Sequence, residues 1–272
     1  MNTIKILYKT KKWDKEIISL TKVDAINLEL TSIEKCINRF VNARSLSNNR
    51  FPIKDSVSFY FLLSNEYFCL ANSHYLIYGD TNRSIEYLYL YVISNIKAYD
   101  YFNNGVEITN LAIADEFKKQ TFLEKLCFCS AAINRFDFFE KYCINNGCKI
   151  IKAIYHEEYE KAKELVSQLP DTSEIYENEK YKASYCYENK YLKALYQALL
   201  SKDEESFNKA LADRIKFIRK GYVMPVDVVS VTMIKFARKL GMDYHFDVIE
   251  IPKALLEDLS DVPLEEYHLP EV

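Results

Sequence analysis

Two closely spaced cysteine pairs, Cys127 with Cys129 and Cys143 with Cys148, are of a type that suits a metal. Tetrahedral zinc needs thiolates that converge on one point. Residues two apart on a helix point about 200° apart around its axis, so Cys127 and Cys129 on a helix cannot share an ion. The expectation is buried, apolar thiols. His156 and Glu160, four apart in His156-Glu157-Glu158-Tyr159-Glu160, would stand on one helical face as two metal ligands. The second histidine of a zinc-protease helix is missing, however, and carboxylates at a helix start are favoured by the dipole without any ion. Asp115-Glu116-Phe117-Lys118 carries the Glu-x-Lys pairing of some metal-dependent nucleases. That chemistry needs carboxylates caged rigidly around a cation, and a polar helix surface supplies no cage. Glycine-rich phosphate loops and Gly-x-Ser-x-Gly elbows do not occur, and nothing around His74, His156, His245 or His268 suggests a Ser-His-Asp arrangement. The residue types therefore predict no enzyme, no cofactor and no metal ligand.

The elements that position these residues read as helices. Five glycines and six prolines in 272 residues punctuate the chain too rarely for a many-turned β architecture. Leu192, Leu195, Tyr196, Leu199 and Leu200 repeat as one helical face, as do Phe207, Leu211, Ile215 and Ile218. Between them Ser201-Lys202-Asp203-Glu204-Glu205 is a short polar break, so the two helices pack antiparallel, with Ser201 or Asp203 capping the second. Upstream, Gly79-Asp80 separates a helix over 56–78 from one over 83–101, whose stripe is Ile85, Leu88, Val92, Ile96 and Tyr99. Further helices are expected over 123–134, 137–145, 157–169, 181–200, 204–220 and 228–240, with Gly147, Pro170, Gly221 and Gly241 as terminators. Segments 106–109, 150–154 and 247–251 have extended character, and 105–114 reads as a loop. Joints near Asp80, His156 and Asp203 resemble tetratricopeptide packing, but intervals of 76 and 47 residues give no fixed period. The predicted fold is all-α, an irregular helical bundle of antiparallel hairpins with solenoid-like parts. It forms a single domain over 1–272, divisible into packed halves 1–148 and 149–272.

A hydrophobic content of 49% in a chain this long supports a substantial core. A net charge of -3 favours neither a nucleic-acid binder nor a membrane-surface protein. The charge is uneven. Eleven Lys and Arg face six Asp and Glu in residues 1–60, whereas residues 250–272 hold seven acids against Lys253. Seven irregularly spaced cysteines point to reduced thiols and a cytoplasmic location. The amino-terminal residues show no secretory apolar run, and the longest greasy stretch, 57–63, is far short of the roughly 20 residues of a membrane span.

Twenty-two tyrosines are partly clustered beside acids. Rings supply contact area at low entropic cost and carboxylates steer a basic partner, so such stretches suit a protein interface. The strongest is 171–188, which carries Glu174, Tyr176, Glu177, Glu179 and Tyr181. Asp203 and Glu204 are added from the hairpin break.

Lys193-Ala194-Leu195, Asp203-Glu204-Glu205, Phe207-Asn208-Lys209-Ala210-Leu211, Gly241 and Pro252-Lys253-Ala254-Leu255-Leu256 follow one another in the carboxyl third. In this the chain resembles the bacterial immunity protein 49 family, and the helix-Gly79-Asp80-helix joint is similar to that family's amino-terminal half. The resemblance covers about 150 residues. It implies a cytosolic antidote of a polymorphic toxin system that binds a cognate toxin, often a nuclease, and blocks it without touching nucleic acid or membrane. The mild acidity of the chain is less than an inhibitor mimicking nucleic acid would carry. The other reading from the sequence is a helical-repeat scaffold or regulator binding a peptide or nucleic acid in a concave groove.

Overall fold

The computed structural model describes residues 3–10, 13–21, 31, 34, 53–75, 79–119, 121–142, 146–169, 191–221, 226–248, 250–257 and 268–270. Among them the body is all-α, made of ten α-helices. A two-stranded sheet precedes it, formed by β1 (Thr3–Thr10) and β2 (Trp13–Thr21). Only two residues separate the strands, which permits antiparallel pairing alone. The sequence reading did not anticipate this sheet, because Lys11-Lys12 lacks the glycine of a tight hairpin turn.

The chain divides into two compact units. The first comprises Met1–Ile6, Ile18–Tyr142 and Asp258–Val272. Its helices are α1 (Ser56–Ser73), α2 (Thr81–Asn103), α3 (Leu111–Lys119), α4 (Thr121–Ala132) and α5 (Phe136–Tyr142). Asp55 starts α1. One carboxylate oxygen accepts the Ser58 amide at 2.7 Å, while the other accepts the Ser58 hydroxyl at 3.0 Å and the amide and hydroxyl of Thr109 at 3.0 and 2.7 Å. A buried carboxylate without such donors would be costly; with them it caps a helix and ties down the loop before α3. The α-helix proper ends at Ser73, short of the predicted Tyr78, and Gly79 then takes a left-handed φ of +66° that a side chain would strain. Asp80 caps α2 by accepting the Arg83 amide at 3.1 Å, and the whole predicted stripe from Ile85 to Tyr99 is buried.

The loop reading of 105–114 holds as far as Asn110, and α3 corrects the remainder. Asn110 starts it by accepting the amides of Ala112 and Ile113 at 3.0 and 3.3 Å, and it buries Ile113 and Phe117. Asp115, Glu116 and Lys118 stand on its exposed side, with Asp115 paired to Lys119 at 2.7 Å. Phe117 sits among Phe61, Phe102 and Phe122, with ring centroids 5.4, 5.3 and 4.4 Å away. α4 is buried nearly all round, so Cys127 and Cys129 are both in the core although they leave the helix in different directions. Tyr60 is wholly buried, stacks on Tyr101 at 5.8 Å and donates its hydroxyl to the Pro270 carbonyl at 3.1 Å.

The second unit comprises Leu7–Ile17 and Cys143–Glu257. It holds α6 (Asn146–Tyr155), α7 (Tyr159–Ser167), α8 (Leu192–Ser201), α9 (Glu204–Gly221), α10 (Val228–Lys239) and a 3₁₀ turn at Lys253–Leu256. α6 overturns two expectations. Segment 150–154 is helical, not extended, and Gly147 lies inside the first turn and terminates nothing. Burial of Cys148, Ile150, Ile151, Ala153 and Ile154 outweighs the modest helix propensity of the isoleucines.

Candidate interaction surface

Three joints of the second unit gather at one end of its helices. Lys193 donates from the start of α8 to the Leu169 carbonyl, two residues beyond α7, at 2.8 Å, so the contacting helices α7 and α8 run antiparallel. The beginning of α7 and the end of α8 therefore share a side. Lys239, closing α10, lies 4.9 Å over the ring of Tyr155, which closes α6. Asn208, in the first turns of α9, donates to the Asp243 carbonyl just beyond α10 at 2.9 Å. The shared end thus carries Tyr155 to Glu158, Lys202 to Glu205 and the segment 241–248.

Sharp joints make this possible. Glu157 and Lys202 both adopt left-handed φ values, +62° and +55°, at the α6–α7 and α8–α9 turns. Asp203 accepts the Ser206 amide at 3.0 Å and caps α9, while the other candidate cap, Ser201, instead donates to the Gln197 carbonyl of its own helix at 2.8 Å. Hydrogen bonds from the hydroxyl and amide of Ser206 hold the Asp203 carboxyl below the usual range.

Glu204 and Asn208 bind the segment after α10 to α9. One oxygen of Glu204 lies 2.7 Å from His245 Nε2, and the other accepts the Asp243 amide at 3.1 Å. Asn208 accepts the His245 amide at 2.8 Å through its carbonyl oxygen while its amide group holds the Asp243 carbonyl. Arg238 bonds Asp243 at 3.1 Å and lies over the Tyr244 ring at 5.8 Å. Burial pushes the Asp243 carboxyl up, but the Arg238 guanidinium and the Tyr244 amide outweigh it and leave it below its ordinary value.

Deeper in the same unit, Arg214 of α9 grips Asp227 with two bonds of 2.9 Å, and Ser230 donates to the same carboxylate. All three residues are buried, and Asp227 donates its amide to the Glu250 carbonyl at 2.8 Å. This network joins α9 to the start of α10.

Of the predicted interface residues, Glu174, Tyr176, Glu177, Glu179 and Tyr181 lie outside the described residues. Asp203 and Glu204 are in place, each with an internal role as well as an outward one. The described neighbours of segment 171–188, Leu169 and Tyr191, stand at the opposite end of α8, about 15 Å from Asp203 for a ten-residue helix. His156 and Glu160 do not share a helical face, since α7 begins at Tyr159 and His156 belongs to the turn before it. Asn208, Asp243 and His245 were not among the predicted interface residues; for Asp243 and His245 the signal is the alternation after the Gly241 stop. Among the described residues no group of three or more His, Cys, Asp and Glu side chains converges to hold a metal, and no helix is long and apolar enough to cross a membrane. No family model, curated protein or solved structure matches the chain significantly.

Proposed function

We propose that the chain is an immunity protein: it binds a cognate toxin of a polymorphic toxin system and neutralises it stoichiometrically, by covering a surface the toxin needs. The observation that carries this reading is the α8–α9 hairpin, whose Ala-Leu, acidic break and Phe-x-x-Ala-Leu are the residues of the family resemblance. Its break presents exposed Asp203 and Glu205 on a capped, fixed joint. Carboxylates on a rigid frame steer a basic partner and lose little freedom when it docks. The acidic, tyrosine-bearing stretch 171–188 adds Glu174, Tyr176, Glu177, Glu179 and Tyr181 to that partner's footprint.

The test is coexpression with the product of the adjacent gene. The two proteins are expected to copurify at a fixed ratio, and the chain is expected to rescue cells from that product. Changing Glu174, Glu177 and Glu179 together to Lys should slow association at low salt while circular dichroism stays unchanged. Failure of the adjacent product to harm cells or to bind the chain rules out the reading.

A further inference from the structure

We propose that segment 268–270 is a reversible strap on the first unit. It opens and closes over Tyr60, and the α1–α2 face beneath it is a binding site for an acidic, extended peptide whose resident occupant is this segment. The inference goes beyond the immunity reading, and neither needs the other.

The attachment rests on one pair of atoms. Tyr60 is wholly buried on α1, and its hydroxyl makes one hydrogen bond among the described residues, to the Pro270 carbonyl at 3.1 Å. From the other side, that bond is also the only one that residues 268–270 make among the described residues. His268 is exposed, and Leu269 and Pro270 are half-buried. One neutral hydrogen bond and two partly covered side chains gain little more than the chain entropy lost in holding three residues still. Closed and open states are therefore close in free energy. Closure spares the buried phenol the penalty of lacking an acceptor, and opening lets water take the place of the carbonyl.

The face under the strap is set by α2. Tyr101 stacks on Tyr60 with ring centroids 5.8 Å apart and planes 8° from parallel, and Lys97, about one helical turn earlier, holds its ammonium 4.7 Å from the centre of the same ring. Phe59 meets Tyr60 edge-on at 4.9 Å. None of these contacts involves 268–270, so the hydroxyl keeps its frame when the strap lifts. Lys97 makes no ion pair among the described residues. Segment 258–272 carries Asp258, Asp261, Glu265, Glu266 and Glu271 and no Lys or Arg. Opposite charge favours the approach of such a segment, and the hydroxyl then reads a carbonyl of its main chain.

The test uses a labelled synthetic peptide of residues 264–272 and the full-length chain. Leu269→Ser with Pro270→Ser strips the apolar grip of the resident strap. The peptide should bind this loosened chain about tenfold more tightly than the unaltered one, because the site is open for a larger fraction of the time. In the loosened chain Tyr60→Phe keeps the ring stack but removes the donor, and should weaken the peptide about fivefold. In the unaltered chain, isotope-labelled, millimolar peptide should move the Leu269 methyl signals toward their positions in the free peptide, with circular dichroism unchanged. Equal affinity for the unaltered and loosened chains, or no binding to the loosened one, overturns the proposal. So does binding that Tyr60→Phe leaves intact, or equal binding by a peptide with Lys in place of its three Glu. Leu269 signals that stay put under millimolar peptide overturn it as well.

Discussion

The two units solve the same problem with different materials. In the first, rings do most of the joining: Phe61, Phe102, Phe117 and Phe122 interlock α1, α2, α3 and α4, and the carboxylate of Asp55 serves as a buried fastener at one helix start. In the second, aliphatic side chains surround single buried rings, Tyr196, Phe207 and Phe236, and polar side chains tie the joints, with Arg214 and Asp227 sealed inside and Glu204, Asn208 and His245 at the surface. Ring packing fixes a body. Directional bonds also fix backbone that belongs to no helix, and that is what the second unit displays at 241–248.

Breaking the ionic joint of the second unit should have the largest effect. Arg214→Met leaves the Asp227 carboxylate buried with its main partner gone and should cost about 3 to 5 kcal/mol in urea unfolding. Asp55→Ala should cost the first unit about 2 to 3 kcal/mol, because a helix cap and the bonds to Thr109 are lost together. If the Arg214 variant proves the milder of the two, the buried ion pair is not the stronger of the two polar joints. Asn208→Ala should cost about 1 kcal/mol or less overall, yet speed amide exchange at His245 well beyond that in α9.

Acid gives the smallest and most local effect. A carboxyl held below its ordinary value contributes stability above the unfolded value of about 3.9, and loses that contribution as pH falls through the folded value. Asp243 and Asp203 are both lowered, so the 241–248 segment and the first turn of α9 should loosen below about pH 4. NMR shifts of the Tyr244 and Ser206 amides would report it, and amides that follow only global unfolding would contradict it.

What the sequence revealed divides along physical lines. α2, α9 and the part of the predicted 181–200 helix that forms α8 from Leu192 were legible because their apolar residues recur at helical spacing, α10 by its Gly241 stop, and the Gly79-Asp80 and Asp203 joints because caps have characteristic side chains; a left-handed Tyr191 precedes α8. α3 was read as a loop around Leu111, although Asn110 marks its start, since so short a helix shows only Ile113 and Phe117 as a stripe. α6 was hidden by Gly147 and a β-branched run whose helical form depends on burial. The segment 241–248 is held to α9 through main-chain groups of Asp243 and His245, which residue types do not report. Glu204 was chosen for its charge, but its contacts with His245 and Asp243 depend on a neighbour about forty positions away.

The hydroxyl of Tyr60 closing on the carbonyl of Pro270 has a consequence for synthesis. The first unit draws on Asp258–Val272, so a ribosome must translate the whole of Cys143–Glu257 before that unit's last piece emerges. The order of completion is therefore inverted relative to the order of translation. A chain truncated after residue 257 should therefore contain a finished second unit while the earlier-made one lacks its closing contact.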